Sequence, residues 1–261
     1  MVSLNNNELK IAADSSSLYK AIADDFMQRA NDVIHKKGLF TVVLSGGNTP
    51  KKLFSLLSTE PYKSGVPWDK IYFFFGDERY VPEDQPDNNF FMAHQYLFSH
   101  VHVPIVNVFQ IPTEYQDPNK AALDYAATIR ELLKVKEDDI PQFDLLYLGL
   151  GTNAHTASLM PGTELVKAYA KAAEGGHKNQ ITAAAFIEEL NMYRITFTPP
   201  LINNSLCIAF LVEGEEKAEP VWQILKGPRD PVSYPAQLIK ATHGKLIWFL
   251  DEPAAEKLKP L

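Results

Sequence analysis

The sequence has almost no cysteine and no long apolar run. Cys207 is the one cysteine among 261 residues, so an internal disulfide is excluded and a reducing cytoplasm is the expected compartment. No apolar stretch approaches the roughly 18 residues of a membrane span, and the first residues lack the pattern of a signal peptide. Because Cys207 stands within the apolar run SLCIAFLV, we predict a buried and unreactive thiol.

The chain also lacks an excess of positive charge. Its net charge is −7, which argues against broad attraction to nucleic acid or to an anionic membrane surface. An anionic small molecule is still a suitable ligand if Arg, Lys and backbone N–H groups form a local cluster. The length is ample for a hydrophobic core that needs no disulfide or metal.

What the sequence does contain is a regular alternation of strand and helix patterns. The strand patterns lie at 9–13, 39–44, 70–75, 106–111, 143–150, 184–190, 194–198, 207–212 and 245–250. The helical patterns lie at Ser15–Lys37, Pro50–Leu57, Asn89–Leu97, Pro118–Lys134 and Glu215–Leu225. The alternation predicts one α/β domain over 1–261, a Rossmann-like open, mostly parallel sheet with helices on both faces.

Polar loops follow three of the apolar strands, and each offers a different chemistry. In open α/β sheets, ligands bind beyond the carboxyl ends of the strands at a switch in strand order. We therefore expect the three loops to open into one crevice.

The first loop is SGGNT, from Ser45 to Thr49. Two glycines allow a sharp turn close to a ligand. We expect Thr49 to be the N-cap of the next helix and Pro50 its first residue. Free N–H groups and the helix dipole at that end favour a phosphate.

The second loop leaves the most apolar strand of the chain with the residues Asp77, Glu78 and Arg79. Arg79 offers a planar guanidinium suited to a carboxylate or phosphate, and Asp77 can accept a hydrogen bond from a sugar hydroxyl. A solvated run of surface charge is the alternative interpretation.

The third loop runs from Gly149 to His155. Gly149–Ala154 formally matches the dinucleotide pattern Gly-x-Gly-x-x-Gly/Ala. Pro161 and Gly162 follow too soon for a long helix, and no acidic strand end follows about 20 residues on, so a nicotinamide cofactor is not expected. His155 remains, with a side chain suited to general-base work near neutral pH.

Other chemistries find little support in the sequence. No Gly-x-Ser-x-Gly elbow is present for a serine nucleophile. His94, His100 and His102 are close in sequence, but no accompanying carboxylate spacing fits a metal site. We therefore expect neither a metal nor a cofactor.

Taken together, the loops resemble a known family. LSGGNTP, GDERYVP with DNN, LGLGTNAHTASLMPG, RITFTPPLIN and FLVEGEEKAEPV occur in the order and spacing of the 6-phosphogluconolactonases. The resemblance covers about 9–249 and implies a cofactor-free enzyme that hydrolyses 6-phospho-D-glucono-1,5-lactone in the pentose phosphate pathway. We expect a cytoplasmic protein, either a monomer or a weak homo-oligomer, with no nucleic-acid or membrane partner.

The resemblance also assigns roles to residues of this chain. It implies that His155 activates the attacking water, and we place Asp77 and Asn153 with it in the catalytic group. The residues expected around the sugar phosphate are Ser45, Gly46, Gly47, Asn48, Thr49, Arg79, Arg194 and Lys217.

The chain departs from the family pattern just before the histidine. The family usually has Asp-Gly there, whereas this chain has Asn153 and Ala154. Asn is neutral, so it can hydrogen-bond a ligand or backbone but cannot stabilise an imidazolium by charge. Ala154 predicts that this position does not need a positive φ.

Two alternative functions stay open. The first is a glucosamine-6-phosphate isomerase/deaminase, against which the lack of an Asn-Glu-Pro run after His155 counts. The second is a sugar-phosphate-binding protein on the same fold without catalysis, for which Asn153 is the support.

Overall fold

The computed structural model describes residues 3–4, 7–171 and 179–258, so the domain expected over 1–261 extends beyond the described part. The strands are β1 (Ser3–Leu4), β2 (Asn7–Ala12), β3 (Phe40–Leu44), β4 (Ile71–Phe75), β5 (Asp77–Arg79), β6 (Val108–Phe109), β7 (Leu145–Leu148), β8 (Thr182–Ile187), β9 (Met192–Phe197), β10 (Cys207–Val212) and β11 (Lys245–Asp251). The α-helices are α1 (Ser15–Lys37), α2 (Asn48–Leu57), α3 (Tyr62–Gly65), α4 (Asn89–Ala93), α5 (Pro118–Leu133), α6 (Glu164–Lys171), α7 (Pro199–Asn203) and α8 (Ala218–Leu225).

The predicted mostly parallel sheet, with helices on both faces, is confirmed. Its strand order is β1-β2-β11-β10-β7-β3-β4-β6, and among the described strands of this sheet only the terminal pair β1–β2 is antiparallel. Every residue of β3, β7 and β10 is buried. Central parallel strands are covered on both faces, and this explains why their sequences are continuously apolar rather than alternating.

The first helix illustrates how local sequence determines an element here. α1 begins after Asp14, whose side chain accepts a hydrogen bond from the Ser17 N–H, and it ends at Gly38 in the left-handed region. Its buried face repeats at helical spacing. The buried residues are Leu18, Tyr19, Ile22, Ala23, Phe26, Ala30 and Ile34.

The strand order reverses between β3 and β7. From β3 the chain runs outward through β4 to β6, and from β7 it runs the other way through β10 to β11. The loops after β3 and β7 therefore diverge at the switch point, where open α/β sheets bind their ligands. These are the loops that begin with Ser45 and Gly149.

A second, antiparallel sheet was not expected from the sequence. It has the order β5-β9-β8, and its β5 consists of Asp77–Arg79, which we had interpreted as a loop. Three consecutive charged residues do not show the alternation of apolar and polar residues that indicates a strand. Their partner strand β9 lies more than a hundred residues away in the chain. Local pattern therefore could not reveal this strand.

Two further predictions were wrong in detail. The run 106–111 forms a strand only at β6, since Ile105–Asn107 is a 3₁₀ turn and Val106 is largely exposed at the sheet edge. Helix α2 begins at Asn48 with Gly47 as its N-cap, so Thr49 lies inside the first turn.

Cys207 is buried as predicted, and burial raises the pKa of its thiol to about 11. Within the described residues, no helix is long and apolar enough to cross a membrane.

Candidate active site

A cavity of about 710 Å³ opens at the switch point of the large sheet. The three loops converge on it, as the sequence predicted. Ten of the eleven predicted site residues line it: Ser45, Gly46, Gly47, Asn48, Thr49, Asp77, Arg79, His155, Arg194 and Lys217. The eleventh, Asn153, lines a separate pocket on the other side of its loop.

One wall of the cavity is the glycine loop together with the start of α2. No side chain of the described residues caps the first N–H groups of this helix. An uncapped helix start carries partial positive charge and free donors, which favour an anion. The loop thus has the geometry of a phosphate site, although its N-cap is Gly47 rather than Thr49.

A second wall carries two arginines in direct register. Arg79 of β5 lies opposite Arg194 of β9 in the antiparallel pair, so both side chains project from the same face of the small sheet. Like charges directly opposite each other repel. In the described part of the chain, the Nε atoms of both arginines are buried and have no hydrogen-bond partner. An anion between them would remove the repulsion and supply the missing acceptors.

Few contacts hold these cations without a ligand. The Arg79 guanidinium donates to the Asp87 carbonyl at 2.7 Å, and an Arg194 Nη1 lies 3.9 Å from an Asp77 carboxylate oxygen. Burial lowers the pKa of both Arg194 and Lys217. The cavity is therefore an incompletely neutralised cationic site.

Asp77 is a buried carboxylate next to these cations. Its Oδ2 accepts a hydrogen bond from the Ser158 hydroxyl at 2.7 Å. Asp77 is 6% exposed, and its negative charge favours the protonated form of His155. Ser158 belongs to the loop that carries the histidine, so this hydrogen bond ties the histidine loop to β5.

The imidazole of His155 is held by Asn153. The Asn153 Oδ1 accepts from the His155 backbone N–H at 3.2 Å and lies 2.5 Å from His155 Nδ1. An amide oxygen only accepts, so Nδ1 must carry the proton and Nε2 keeps its lone pair. The ring also lies against Gly151, where a Cβ atom would overlap Nδ1 and Cε1.

The environment of His155 favours its neutral form. Burial is the main cause that lowers its pKa below the ordinary value of 6.5, and the positive charges of Arg194, Lys217 and Arg79 lower it further. Asp77 opposes this shift. A neutral imidazole with an unprotonated Nε2 is the form that a general base requires.

The prediction for Ala154 was wrong. Its φ is +62°, and Ala157 in the same loop has φ +47°. The tight turn that returns the chain from Gly151 to His155 requires a left-handed residue, which an alanine adopts at a cost of about 1–2 kcal/mol. Glycine, the usual residue of the family at this position, adopts a positive φ without strain. In this chain the alanine keeps the positive φ and is therefore strained.

We therefore expect Ala154→Gly to raise the free energy of unfolding by about 1 kcal/mol, because glycine adopts positive φ without strain. Chemical denaturation measures this change. Ala23→Gly, within α1, is the matched control and should lower the free energy of unfolding by about 1–2 kcal/mol, since glycine is a poor helix former and Ala23 buries its methyl group. A loss of stability in both variants would contradict strain at Ala154.

Several residues at the site were not identified from the sequence. Glu213 follows β10 and accepts from Ser15, Tyr19 and Lys52, while Asn89 at the start of α4 lines the cavity. Both residues lie in segments that carry the resemblance, FLVEGEEKAEPV and DNN, but nothing local marks either one as part of a site. Over the described residues, no group of three or more His, Cys, Asp or Glu side chains is placed to hold a metal ion.

The fold and the cavity define a class of α/β protein with a cationic cavity at its switch point, suited to an anionic small molecule and lined by a histidine. A family model described as glucosamine-6-phosphate isomerases/6-phosphogluconolactonase matches residues 13–248. The chain belongs to this family.

The relatives agree with that membership. The 6-phosphogluconolactonase of Synechocystis is 38% identical over 232 residues, which cover 89% of this chain and 90% of the relative. The 6-phosphogluconolactonase of Nostoc is 32% identical and covers 96% and 98% of the two chains. The structure of 6-phosphogluconolactonase from Trypanosoma cruzi is 26% identical, covers 99% of each chain and superposes with a TM-score of 0.82.

Proposed function

We propose that this protein is a 6-phosphogluconolactonase, which hydrolyses 6-phospho-D-glucono-1,5-lactone to 6-phospho-D-gluconate in the pentose phosphate pathway. The relatives that cover nearly the whole chain bear this name. The observation that carries the proposal is a histidine with an unprotonated Nε2 in a cavity that is also lined by two arginines in register. A base and an anion pocket are what a phosphorylated lactone requires.

The proposed reaction needs no covalent intermediate. The Nε2 atom of His155 removes a proton from water while the water oxygen forms a bond to the C1 carbonyl carbon of the lactone. The resulting oxyanion collapses, the bond from C1 to the ring oxygen breaks, and the imidazolium returns its proton to that oxygen. The product is an open-chain carboxylic acid, which ionises in water.

The substrate phosphate is assigned to the cationic half of the cavity. The N-terminus of α2 supplies N–H donors, and Arg79, Arg194 and Lys217 supply charge. The developing oxyanion also needs positive charge, and one of these cations that does not hold the phosphate is the group to supply it. Asp77 accepts from a sugar hydroxyl or from Ser158, and it partly compensates the surrounding cations.

Asn153 is assigned a positioning role. Its amide oxygen contacts His155 rather than the cavity, so it acts through the imidazole by fixing the Nδ1–H tautomer. The neutral amide orients the ring without the electrostatic stabilisation that the family Asp provides. A residue at this position can act by orienting the substrate or by acting on the histidine, and the contact with Nδ1 favours action on the histidine.

The pH dependence of activity tests this role. In the parent, kcat/KM should rise with pH through a group that titrates below 6.5, since the pKa of His155 is lowered and its deprotonated form is the base. The rising limb of the pH profile of kcat should lie at higher pH than that of kcat/KM. The reason is that a bound phosphate offsets the cations that lower the histidine pKa.

Asn153→Asp should move both limbs up by about one pH unit, because a carboxylate beside Nδ1 favours the imidazolium. Asn153→Ala is the control, which should reduce kcat without an upward shift. An unchanged limb in Asn153→Asp would contradict the assignment of Asn153 to the histidine.

The decisive assay offers two substrates to the purified protein. Hydrolysis of the lactone, corrected for spontaneous opening, is expected, and deamination of glucosamine 6-phosphate is not. The opposite outcome would establish the isomerase/deaminase. Binding of 6-phosphogluconate without turnover of either substrate would establish a non-catalytic sugar-phosphate-binding protein.

Cytoplasmic location and a monomer or weak homo-oligomer stay predictions. Fractionation and sedimentation measure them directly.

A further inference from the structure

The two walls of the anion pocket belong to different sheets. The glycine loop and α2 follow β3 of the large sheet, whereas Arg79 and Arg194 belong to β5 and β9 of the small sheet. The chain leaves the large sheet at Gly76, whose N–H still bonds the Leu44 carbonyl at 3.0 Å. Beyond that point the strands of the two sheets are not paired with each other, so side-chain contacts help to set the distance between the two walls.

Asn89 is anchored firmly to the small-sheet wall. Its backbone N–H donates to Glu78 Oε1 at 2.7 Å, and its Nδ2 donates to the Asp77 carbonyl at 2.9 Å. The residue is 1% exposed. Because Nδ2 faces a carbonyl, the orientation of the amide is fixed and Oδ1 points the other way.

The far side of the same amide rests on the glycine loop. A Cβ atom on Gly46 would overlap Oδ1 and Cγ of Asn89, and the three atoms nearest to that position all belong to Asn89. Oδ1 has no hydrogen-bond partner within the described residues. Its contact with Gly46 is therefore a close packing contact, with a weak Cα–H···O component at most.

We propose that Asn89 is a positioning residue that sets the spacing between the two walls of the anion pocket, with Gly46 as its matched partner. The Asn89 amide ties Asp77 on one side and supports the glycine loop on the other, so that the α2 N-terminus and Arg79 face the same phosphate. The inference rests on the proposed function only for the identity of that anion.

A double-mutant cycle tests the pairing. Gly46→Ala should raise KM for the lactone at least about tenfold by forcing the loop away from Asn89, and Asn89→Ala should raise it about tenfold by removing the support. In the double variant, the space left by the amide accepts the new methyl group. Its KM should therefore lie close to that of Asn89→Ala alone. The value of kcat should change less than KM does, since Asn89 bonds the backbone carbonyl of Asp77 rather than its carboxylate and neither substitution replaces a residue of the histidine loop.

Asn88→Ala is the matched control. Asn88 is also buried, but its side chain caps α4 through the Phe91 N–H and does not line the cavity. It should lower the melting temperature and change KM far less than Asn89→Ala does, since the amide of Asn89 remains in place. Where Asn89→Ala does not fold, Asn89→Ser replaces it in the cycle.

Binding of inorganic phosphate, measured by calorimetry, gives a second readout that does not depend on turnover. A parent that binds phosphate but does not hydrolyse the lactone would refute the proposed function and leave the pairing testable through the same cycle of phosphate Kd values. If the two residues act independently, the change in KM and in phosphate Kd of the double variant equals the product of the changes in the two single variants. That result would overturn the pairing of Asn89 with Gly46.

Discussion

His155→Ala should lower kcat by about 10²–10⁴-fold, the usual effect of removing a positioned general base. The side chain lines the cavity beside Arg194 and Lys217, and its Nδ1 is held by Asn153, so Nε2 is the atom free to take a proton. Initial rates at saturating lactone, corrected for spontaneous opening, measure the loss. The rise of kcat and kcat/KM with pH that is expected for the parent should disappear in this variant.

The control for this substitution is His243→Ala. His243 is exposed and does not line the cavity, so its replacement should leave kcat and the pH profile unchanged. Denaturation curves check that His155→Ala remains folded. A variant that is folded and retains parental kcat would show that another group is the base, even if the substrate is correct.

Arg79→Ala should raise KM by about 30- to 1,000-fold, since losing a charge-assisted contact to a buried anion costs about 2–4 kcal/mol. The ligand-free protein should respond differently. Because Arg79 and Arg194 lie opposite each other, removing one relieves repulsion, and the free energy of unfolding should stay constant or rise slightly. Binding and stability are thus expected to change in opposite directions.

Two comparisons isolate the cause of the Arg79 effect. Arg130→Ala removes the same charge from α5, away from the cavity, and should leave KM unchanged. Arg79→Lys keeps the charge but loses the planar guanidinium, so it should recover only part of the affinity. A parental KM in Arg79→Ala would place Arg79 on the solvated surface, the alternative interpretation of its charge run.

The order of elements and the position of the site could be predicted because they depend on local pattern. The helix Ser15–Lys37 was predicted to the residue, since its N-cap, its apolar face and its terminal glycine all lie within one segment. The continuously apolar strands β3, β7 and β10 indicated a parallel sheet covered on both faces. Polar loops at the ends of such strands converge by geometry, so ten of the eleven predicted residues line one cavity.

Only the tertiary structure decided how these residues act on one another. The register of Arg79 with Arg194, the contact of Asn89 with Gly46 and the direction of the Asn153 amide depend on chain segments or backbone angles that no local pattern encodes. The positive φ of Ala154 is of the same kind, because the closure of its turn overrides the preference of alanine. By itself, the sequence determined the elements and the composition of the site, since both follow from short-range periodicity. The second sheet and the contacts between the two walls of the pocket were decided by tertiary structure, since they arise from pairings between residues distant in the chain.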